Sequence, residues 1–293
     1  MSNKKIVLYP NIENDVDFKV ALKVGDMLRK NGRKIALCPA FIDKIIIPKL
    51  PDGYIATKLS DELPTTEIII AFGGDGTILR AARFAADAKV PILGVNMGGK
   101  GFMAELEIDD IDIIGTINES NYKTETRMMI DTHIERDNKI IYSDFALNDI
   151  VIKGDNKVID MTIYADDERI TQFSGDGTVI ATPTGSTAYS LSAGGPIVEP
   201  TAKNIIITPI CAHILEAKSF VLVTDRVVTI KTELRNNIPA YVSVDGGDQI
   251  NIENGDVIRV MKSKKSTQLV RLSDSSFYHR VSSKLITRTV GND

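Results

Sequence analysis

Apolar residues follow two different rhythms along this chain. Up to about residue 126, short continuous apolar runs alternate with stripes at helical spacing. Lys5-Ile6-Val7-Leu8-Tyr9, Ile35-Ala36-Leu37-Cys38, Ile68 to Phe72 and Pro91-Ile92-Leu93-Gly94-Val95 read as buried strands. Val20, Val24, Met27 and Leu28 predict a helix with Gly32 at its C-terminal cap, and a second helical pattern runs from Ile78 to Ala86. Strands apolar on both faces and separated by helices predict a parallel sheet covered on both sides. Ligands bind such sheets at the carboxyl ends of the strands.

Beyond about Arg127 the period shortens. Strand candidates are Met129 to Glu135, Ile140 to Asp144, Leu147 to Ile152, Asp160 to Ala165, Ile170 to Phe173, Ile205 to Ile207, Val227 to Ile230, Tyr241 to Val244 and Val257 to Met261. Asp137-Asn138, Asp166-Asp167 and Asn254-Gly255 supply turn signals between them. The expected organisation is an α/β domain over 1–126 and a mostly-β domain of layered sheets over 127–270. A C-terminal segment, 271–293, with weak helical character from Ser275 to Thr289, is expected to pack back on the first domain.

Composition narrows the function classes. The chain has 293 residues, 43% hydrophobic and 25% charged, enough to bury a core without disulfide or metal staples. Its net charge of −4 argues against nucleic-acid or membrane-surface binding, which need a basic face. An anionic substrate must therefore be captured by local donors. Cys38 and Cys211 lie far apart without metal-ligand spacing and are expected to be reduced, partly buried thiols. The first residues lead directly into a strand, and no stretch approaches a membrane span, so a cytoplasmic location is expected. His133, His213 and His279 show no ligand spacing, and no Gly-Lys-Ser/Thr loop follows a suitable turn.

The richest segment is Phe72-Gly73-Gly74-Asp75-Gly76-Thr77, between an apolar strand and a helix. Its glycines let backbone N–H groups approach a ligand closely, and the helix start adds further donors, so the turn suits phosphate. Asp75 is a poor phosphate ligand but a fitting base for a hydroxyl, or a metal ligand; the bland alternative is a helix cap. Together, the cradle and the carboxylate suggest phosphoryl transfer. Thr182-Pro183-Thr184-Gly185-Ser186-Thr187-Ala188-Tyr189-Ser190 places six hydroxyls in nine residues, suited to phosphate or ribose, or else to an elaborate cap. Asn148-Asp149 can hydrogen-bond both hydroxyls of a ribose, though an Asx turn explains the pair equally well. Asp245-Gly246-Gly247 offers another carboxylate or a hairpin turn. Asn96 to Phe102 reads as a mobile loop at the ligand-binding edge, with Phe102 available to pack on a flat ring. Gly74-Asp75-Gly76-Thr77 recurs as Gly175-Asp176-Gly177-Thr178, before a strand pattern instead of a helical one.

In this order, these segments together with Ser192-Ala193-Gly194-Gly195-Pro196 resemble the ATP/NAD kinase family across most of the chain. The Thr182 to Tyr189 segment is the specific one, since diacylglycerol-type lipid kinases and phosphofructokinases carry turns like Gly73 to Thr77. The resemblance implies a Rossmann-like N-terminal domain and a β-rich C-terminal domain, with NAD bound between them. It implies a homodimer or homotetramer whose neighbouring subunit completes the NAD site. Carried over residue by residue, Asp75 is the catalytic base or metal-organising carboxylate, while Gly73, Gly74, Gly76 and Thr77 hold phosphate. Gly76, Phe102, Asn148, Asp149, Asp176, Thr187, Ala188, Tyr189, Ser192 and Asp245 hold NAD, with Phe102 at the adenine and Asp176 toward the nicotinamide. The family often has Asn-Glu at Asn148-Asp149 and a leucine at Lys100. The expected reaction moves the γ-phosphoryl group of ATP, or of polyphosphate, to the 2′-hydroxyl of the adenosine ribose of NAD. Mg²⁺ or another divalent cation assists, its protein ligands left open. A diacylglycerol-type lipid kinase and a non-catalytic dinucleotide sensor are the alternatives.

Overall fold

The computed structural model describes residues 4–98, 101–118, 120–213, 217–234, 238–272, 277–278 and 281–282. The chain divides into two compact units, Met1–Thr126 with Thr267–Asp293, and Arg127–Ser266. Gly99, Lys100, His279 and most of the 271–293 segment lie outside the described residues.

The first unit is an α/β layer structure. Its elements are β1 (Lys5–Pro10), α1 (Lys19–Lys30), β2 (Ile35–Leu37), the single-turn α2 (Leu59–Glu62), β3 (Thr66–Gly73), α3 (Asp75–Ala88), β4 (Ile92–Asn96) and β5 (Leu106–Glu107). The strands run parallel in the order β2-β1-β3-β4, with β5 beside β4 and Leu269 opposite Ile92. The order reverses between β1 and β3. At such a reversal the chains leave the carboxyl edge in opposite directions and open a crevice. Every residue of β3 is buried, as its unbroken apolar run predicts. Ile6, Leu8, Ile70, Phe72 and Leu93 join Ala21, Val24 and Leu28 of α1 in one core.

Helix α1 is capped from a distance. Asp17 and Phe18 adopt left-handed backbone (φ 56 and 57), and the buried Asp15 accepts the N–H groups of Val20 and Ala21, each at 2.9 Å. Gly32, at φ +74, ends the same helix as expected.

The second unit consists of sheets. It holds β6 (Lys123–Arg136), β7 (Lys139–Ala146), β8 (Asp149–Gly154), β9 (Ile159–Ala165), β10 (Glu168–Gly175) and β11 (Gly177–Ala181), followed by the short α4 (Tyr189–Ser192). The remaining strands are β12 (Asn204–Ile210), β13 (Phe220–Val223), β14 (Val228–Glu233), β15 (Ala240–Val244), β16 (Ile250–Ile252) and β17 (Val257–Arg271). One antiparallel sheet runs β13-β12-β11-β8-β15-β16; the other includes β10-β9-β14-β17, with β6 joining β17 to β7. Alternate residues separate the faces. Ile150, Ile152, Ile180 and Ile207 share a core with Ile163, Ile230, Ile258 and Val260 of the other sheet, while Val151, Val179 and Ile206 form a second cluster with Ala193 and Val198.

Two boundaries differ from the sequence pattern for identifiable reasons. β8 begins at Asp149, not at Leu147, because the amides of Leu147 and Asn148 bind a side chain rather than a neighbouring strand. β17 continues ten residues past Met261, because Lys262, Ser263, Lys264, Lys265, Ser266 and Thr267 hide a strand behind polar side chains. The short strands β13 and β16 are not among the strand candidates.

Candidate active site

In the first unit, the glycine turn closes β3 and opens α3. Gly74 is the N-cap, with extended backbone (φ −91, ψ −172), and Asp75 is the first helical residue. None of Gly73, Gly74 or Gly76 has a positive φ. A Cβ on Gly73 would collide with the Thr77 hydroxyl, whereas at Gly74 and Gly76 it would meet nothing within 4 Å. Neither backbone conformation nor packing within the described residues requires glycine at those two places. What a Cβ would obstruct there is the approach of a ligand to the free amides at the helix start.

Asp75 is not a helix cap, which overturns the bland reading: no side chain caps α3. Its Oδ2 accepts the Phe102 N–H at 2.8 Å, and its Oδ1 accepts the Met103 N–H at 3.2 Å. A Cβ on Gly101 would press against the same carboxylate. The strap that holds Asp75 is itself anchored. Arg271 donates to the Met103 carbonyl at 3.1 Å and pairs with Glu105 and Glu125 at 3.2 and 3.3 Å. Asn11, just past β1, donates to Thr77 Oγ1 at 3.4 Å and ties the neighbouring strand end to the turn. The half-buried Phe102 is thus fixed through its backbone.

In the second unit, the ends of β8, β11 and β15 meet. Asp149 pairs with Ala181, and Ile150 pairs with Val244. Asp245, in left-handed backbone at φ 49, turns its carboxylate onto the N–H groups of Leu147, Asn148 and Asp149 at 2.8, 2.8 and 3.1 Å. Asp245-Gly246 makes the turn, and the Asp245 carboxylate is taken up by the backbone amides of Leu147, Asn148 and Asp149. The Asn148 Oδ1 is buried without a hydrogen-bond partner, so this amide lacks a donor such as a hydroxyl. Asp149 is 5% exposed, and its carboxyl is pushed up to about 7, first by burial and then by the Asp245 charge.

The hydroxyl-rich segment wraps around this pair. Thr182 N–H donates to the Asn148 carbonyl at 2.9 Å, and Gly185 approaches that carbonyl so closely that a Cβ would overlap it. The Thr182 hydroxyl donates to the Leu147 carbonyl at 2.6 Å, and Ser186 donates to the Pro183 carbonyl at 2.7 Å. Thr187 donates to the Thr184 carbonyl at 3.3 Å, Thr184 accepts from Arg127 at 3.2 Å, and Ser190 meets Thr208 at 2.9 Å. Five of the six hydroxyls therefore make hydrogen bonds within the fold, as an elaborate cap does, and those that donate keep acceptor lone pairs. Tyr189 and Ser192 are exposed, and Ala188 is half-buried.

Asp176 is not part of this cluster. It precedes β11 beside Gly154, at the end of the β8–β11 pair away from Asp149. Five residues of strand separate the two, about 17 Å at ~3.4 Å per residue.

Residues 58–121 match the model of the ATP-NAD kinase N-terminal domain, and residues 147–272 match that of the C-terminal domain. The NAD kinase of Acetivibrio thermocellus is 37% identical over 287 residues, covering 97% of this chain and 98% of that protein. This chain belongs to the NAD kinase family. The NAD kinase of Ruminiclostridium cellulolyticum is 35% identical over 288 residues, covering 97% and 99% of the two chains. Two solved structures share the fold. Yeast NADH kinase complexed with NADH superposes with a TM-score of 0.85 at 23% identity, covering 100% of this chain and 90% of that one. An NAD kinase from Archaeoglobus fulgidus in complex with ATP gives 0.70 at 22%, covering 98% and 100%. The matches extend along both units, and the diacylglycerol-type alternative falls away.

Several residues that shape this NAD kinase site escaped sequence reasoning. Arg271 and Arg127 are buried, 8% and 2% exposed. A single arginine in an apolar strand pattern, such as Leu269-Val270-Arg271, was the available signal for a buried ion pair. Gly101 and Gly185 leave no such trace, because what each approaches is far away in sequence.

Proposed function

We propose that this chain transfers the γ-phosphoryl group of ATP to the 2′-hydroxyl of the adenosine ribose of NAD, giving NADP and ADP. The observation that carries this reading is the 37% identity to a curated NAD kinase along nearly the whole chain. The geometry supports a division of labour. The free amides at Gly74 and Gly76, with Gly73 and Thr77 shaping the turn, hold donor phosphate at the start of α3. Asp75, steadied by two amides, accepts the proton of the 2′-hydroxyl as its oxygen attacks the γ-phosphorus and the bond to the β-phosphate oxygen breaks. The unpartnered Asn148 Oδ1 and Asp149 take ribose hydroxyls, with Tyr189 and Ser192 as the outward side chains beside them.

Among the described residues, no group of three or more His, Cys, Asp or Glu side chains converges to hold a metal. Asp75, a single carboxylate at a phosphate turn, would face a hydrated Mg²⁺ bound with the donor phosphates, and the ion would supply charge neutralisation there. Asp176 lies too far from Asp149 along the strand pair for both to hold adjacent groups. In a homodimer or homotetramer, the second copy's Asp176 would serve the nicotinamide end. We place the enzyme in the cytoplasm; among the described residues no helix is long and apolar enough to cross a membrane, and both cysteines are free. Cys38 is buried, its thiol pushed up to about 11 by burial, whereas Cys211 is exposed rather than partly buried.

Incubating the purified chain with ATP, Mg²⁺ and NAD should yield NADP, and repeating the assay with polyphosphate decides the donor class. Tight NAD binding with no NADP from either donor would instead mark a sensor.

A further inference from the structure

A cleft of about 160 Å³ opens at the carboxyl ends of β1 and β2, lined by Tyr9, Phe41, Lys44, Lys58, Arg80 and Phe84 among others. None of these residues belongs to the candidate active site. We propose that this cleft binds the adenine base of the phosphoryl donor. The inference rests on the NAD kinase reading for the identity of the donor and on the cleft itself for the base.

The cleft is well placed for that role. Tyr9 pairs with Ala71, two residues before the glycine turn. Arg80 lies beyond Asp75 by five residues on α3, about 7–8 Å along the axis at ~1.5 Å per residue. The cleft therefore lies on the sheet edge that carries the phosphate turn, at a distance that a ribose and one or two phosphates span. It also lies on the β1 side of the β1–β3 reversal, where this sheet order places a ligand.

Its chemistry suits a base with phosphates attached. The Arg80 guanidinium stacks over the Phe41 ring, 3.9 Å from its centroid. Phe41 and Phe84 stay 37% and 39% exposed, although burying each would be worth about 1.5–3 kcal/mol. Phe41 is also held in left-handed backbone at φ 58, which is uncommon for a bulky side chain. Aromatic faces beside a guanidinium form a platform for a planar base. The Arg80 Nε is buried without a hydrogen-bond partner, and Tyr9 hydrogen-bonds with the same arginine, so polar groups are fixed at the rim. Arg80, Lys44 and Lys58 face one carboxylate, Asp43, which pairs with Lys58 at 2.8 Å. In a chain of net charge −4, this local excess of cations favours a ligand that brings phosphates. An apolar cavity of about 150 Å³ accommodates a benzene ring. The cleft thus has room for a flat ring system.

The test uses the full chain with ADP as probe. Phe41→Ala, Phe84→Ala and Phe41→Tyr are checked for folding by circular dichroism, then titrated with ADP by calorimetry and assayed for the KM of ATP and of NAD. Loss of one stacking face should weaken ADP binding and raise the KM for ATP about tenfold, the scale of aromatic–base stacking. The KM for NAD should stay where it is, and Phe41→Tyr should retain near-wild-type values. ADP binding unchanged in both folded alanine variants overturns the proposal, as does a rise confined to the KM for NAD. So does a wild-type chain that binds no ADP. If wild type binds ADP yet makes no NADP, the kinase reading fails, while the calorimetry on the variants still decides the base subsite.

Discussion

The chain contains Gly-Asp-Gly-Thr twice and folds the two copies in opposite ways. Gly74 to Thr77 opens the helix α3, and Gly175 to Thr178 opens the strand β11. A Cβ at Gly74 or Gly76 would meet open space, whereas at Gly175 it would press on the Ile210 carbonyl at 2.9 Å and at Gly177 it would overlap the Ile152 carbonyl. Thr77 accepts from Asn11 across a strand end, while Thr178 donates to the Thr208 carbonyl at 3.2 Å inside the sheet. The same four residues thus leave amides open to a ligand in one place and let strands pack closely in the other. The residues on their C-terminal side decide between the two outcomes. Ile78-Leu79-Arg80-Ala81-Ala82 favours helix, and Val179-Ile180 favours strand.

The largest test of this contrast is Asp75→Asn. Turnover should fall about 10²- to 10⁴-fold, the usual contribution of a positioned base. The fold should persist, since an amide oxygen can still accept from Phe102 or Met103. Near-normal kcat in a folded variant would remove Asp75 from the chemistry. An equal collapse in Asp176→Asn with both NAD and NADH would erase the distinction between the copies.

The glycines provide the next test. Gly177→Ala should cost roughly 1–3 kcal/mol of stability, because the methyl meets backbone that cannot rotate away. Gly76→Ala should change stability by less than about 0.5 kcal/mol and should lower turnover instead. Urea midpoints and kcat for the two variants read both halves of the contrast, and equal stabilities would break it.

A third test concerns the carboxylate at the other end of the strand pair from Asp176. With its carboxyl raised to about 7, Asp149 is protonated in the folded chain across a range where the unfolded chain ionises it, from the ordinary value of 3.8 upward. The folded state holds the extra proton in that window. Stability is therefore lost as pH rises from about 4 to 7, and the loss is complete above 7. Asp149→Asn removes this dependence, so its stability relative to wild type should improve by about 1–3 kcal/mol between pH 4 and pH 8. Thermal denaturation at the two pH values checks it, and a constant difference would show that Asp149 is not held protonated.

The smallest expected effect is that of Asp176→Asn. A carboxylate near the nicotinamide favours the cationic oxidised ring, and for a half-exposed group this is worth about 0.2–1 kcal/mol. The ratio of kcat/KM for NAD over NADH should narrow by about two- to fivefold, through KM. An unchanged ratio places Asp176 away from the ring.

Much of the molecule was legible in the sequence. The four parallel strands, both long helices of the first unit and most strands of the second stood out because burial on one or both faces imposes a period on consecutive residues. The phosphate turn was legible for the same reason: glycine, carboxylate and helix start are adjacent in the chain. The strand over Lys262 to Thr267 was hidden because its polar residues break the apolar alternation. The hydroxyls of Thr182 to Ser190 announced hydrogen bonding by their type without naming the partners, Arg127 and Thr208 among them.

By itself, the sequence determined the periodic elements, the two-part organisation and the place of the glycine turn, since each depends on neighbours within a few residues. Tertiary structure alone decided what the polar side chains do. Asp75 binds amides 27 and 28 residues further along the chain, and Asp245 binds amides 96 to 98 residues earlier. Arg271 reaches back 168 residues to the Met103 carbonyl. A carboxylate or guanidinium accepts whatever partner the folded chain returns to it, and no local pattern records a contact made across that separation.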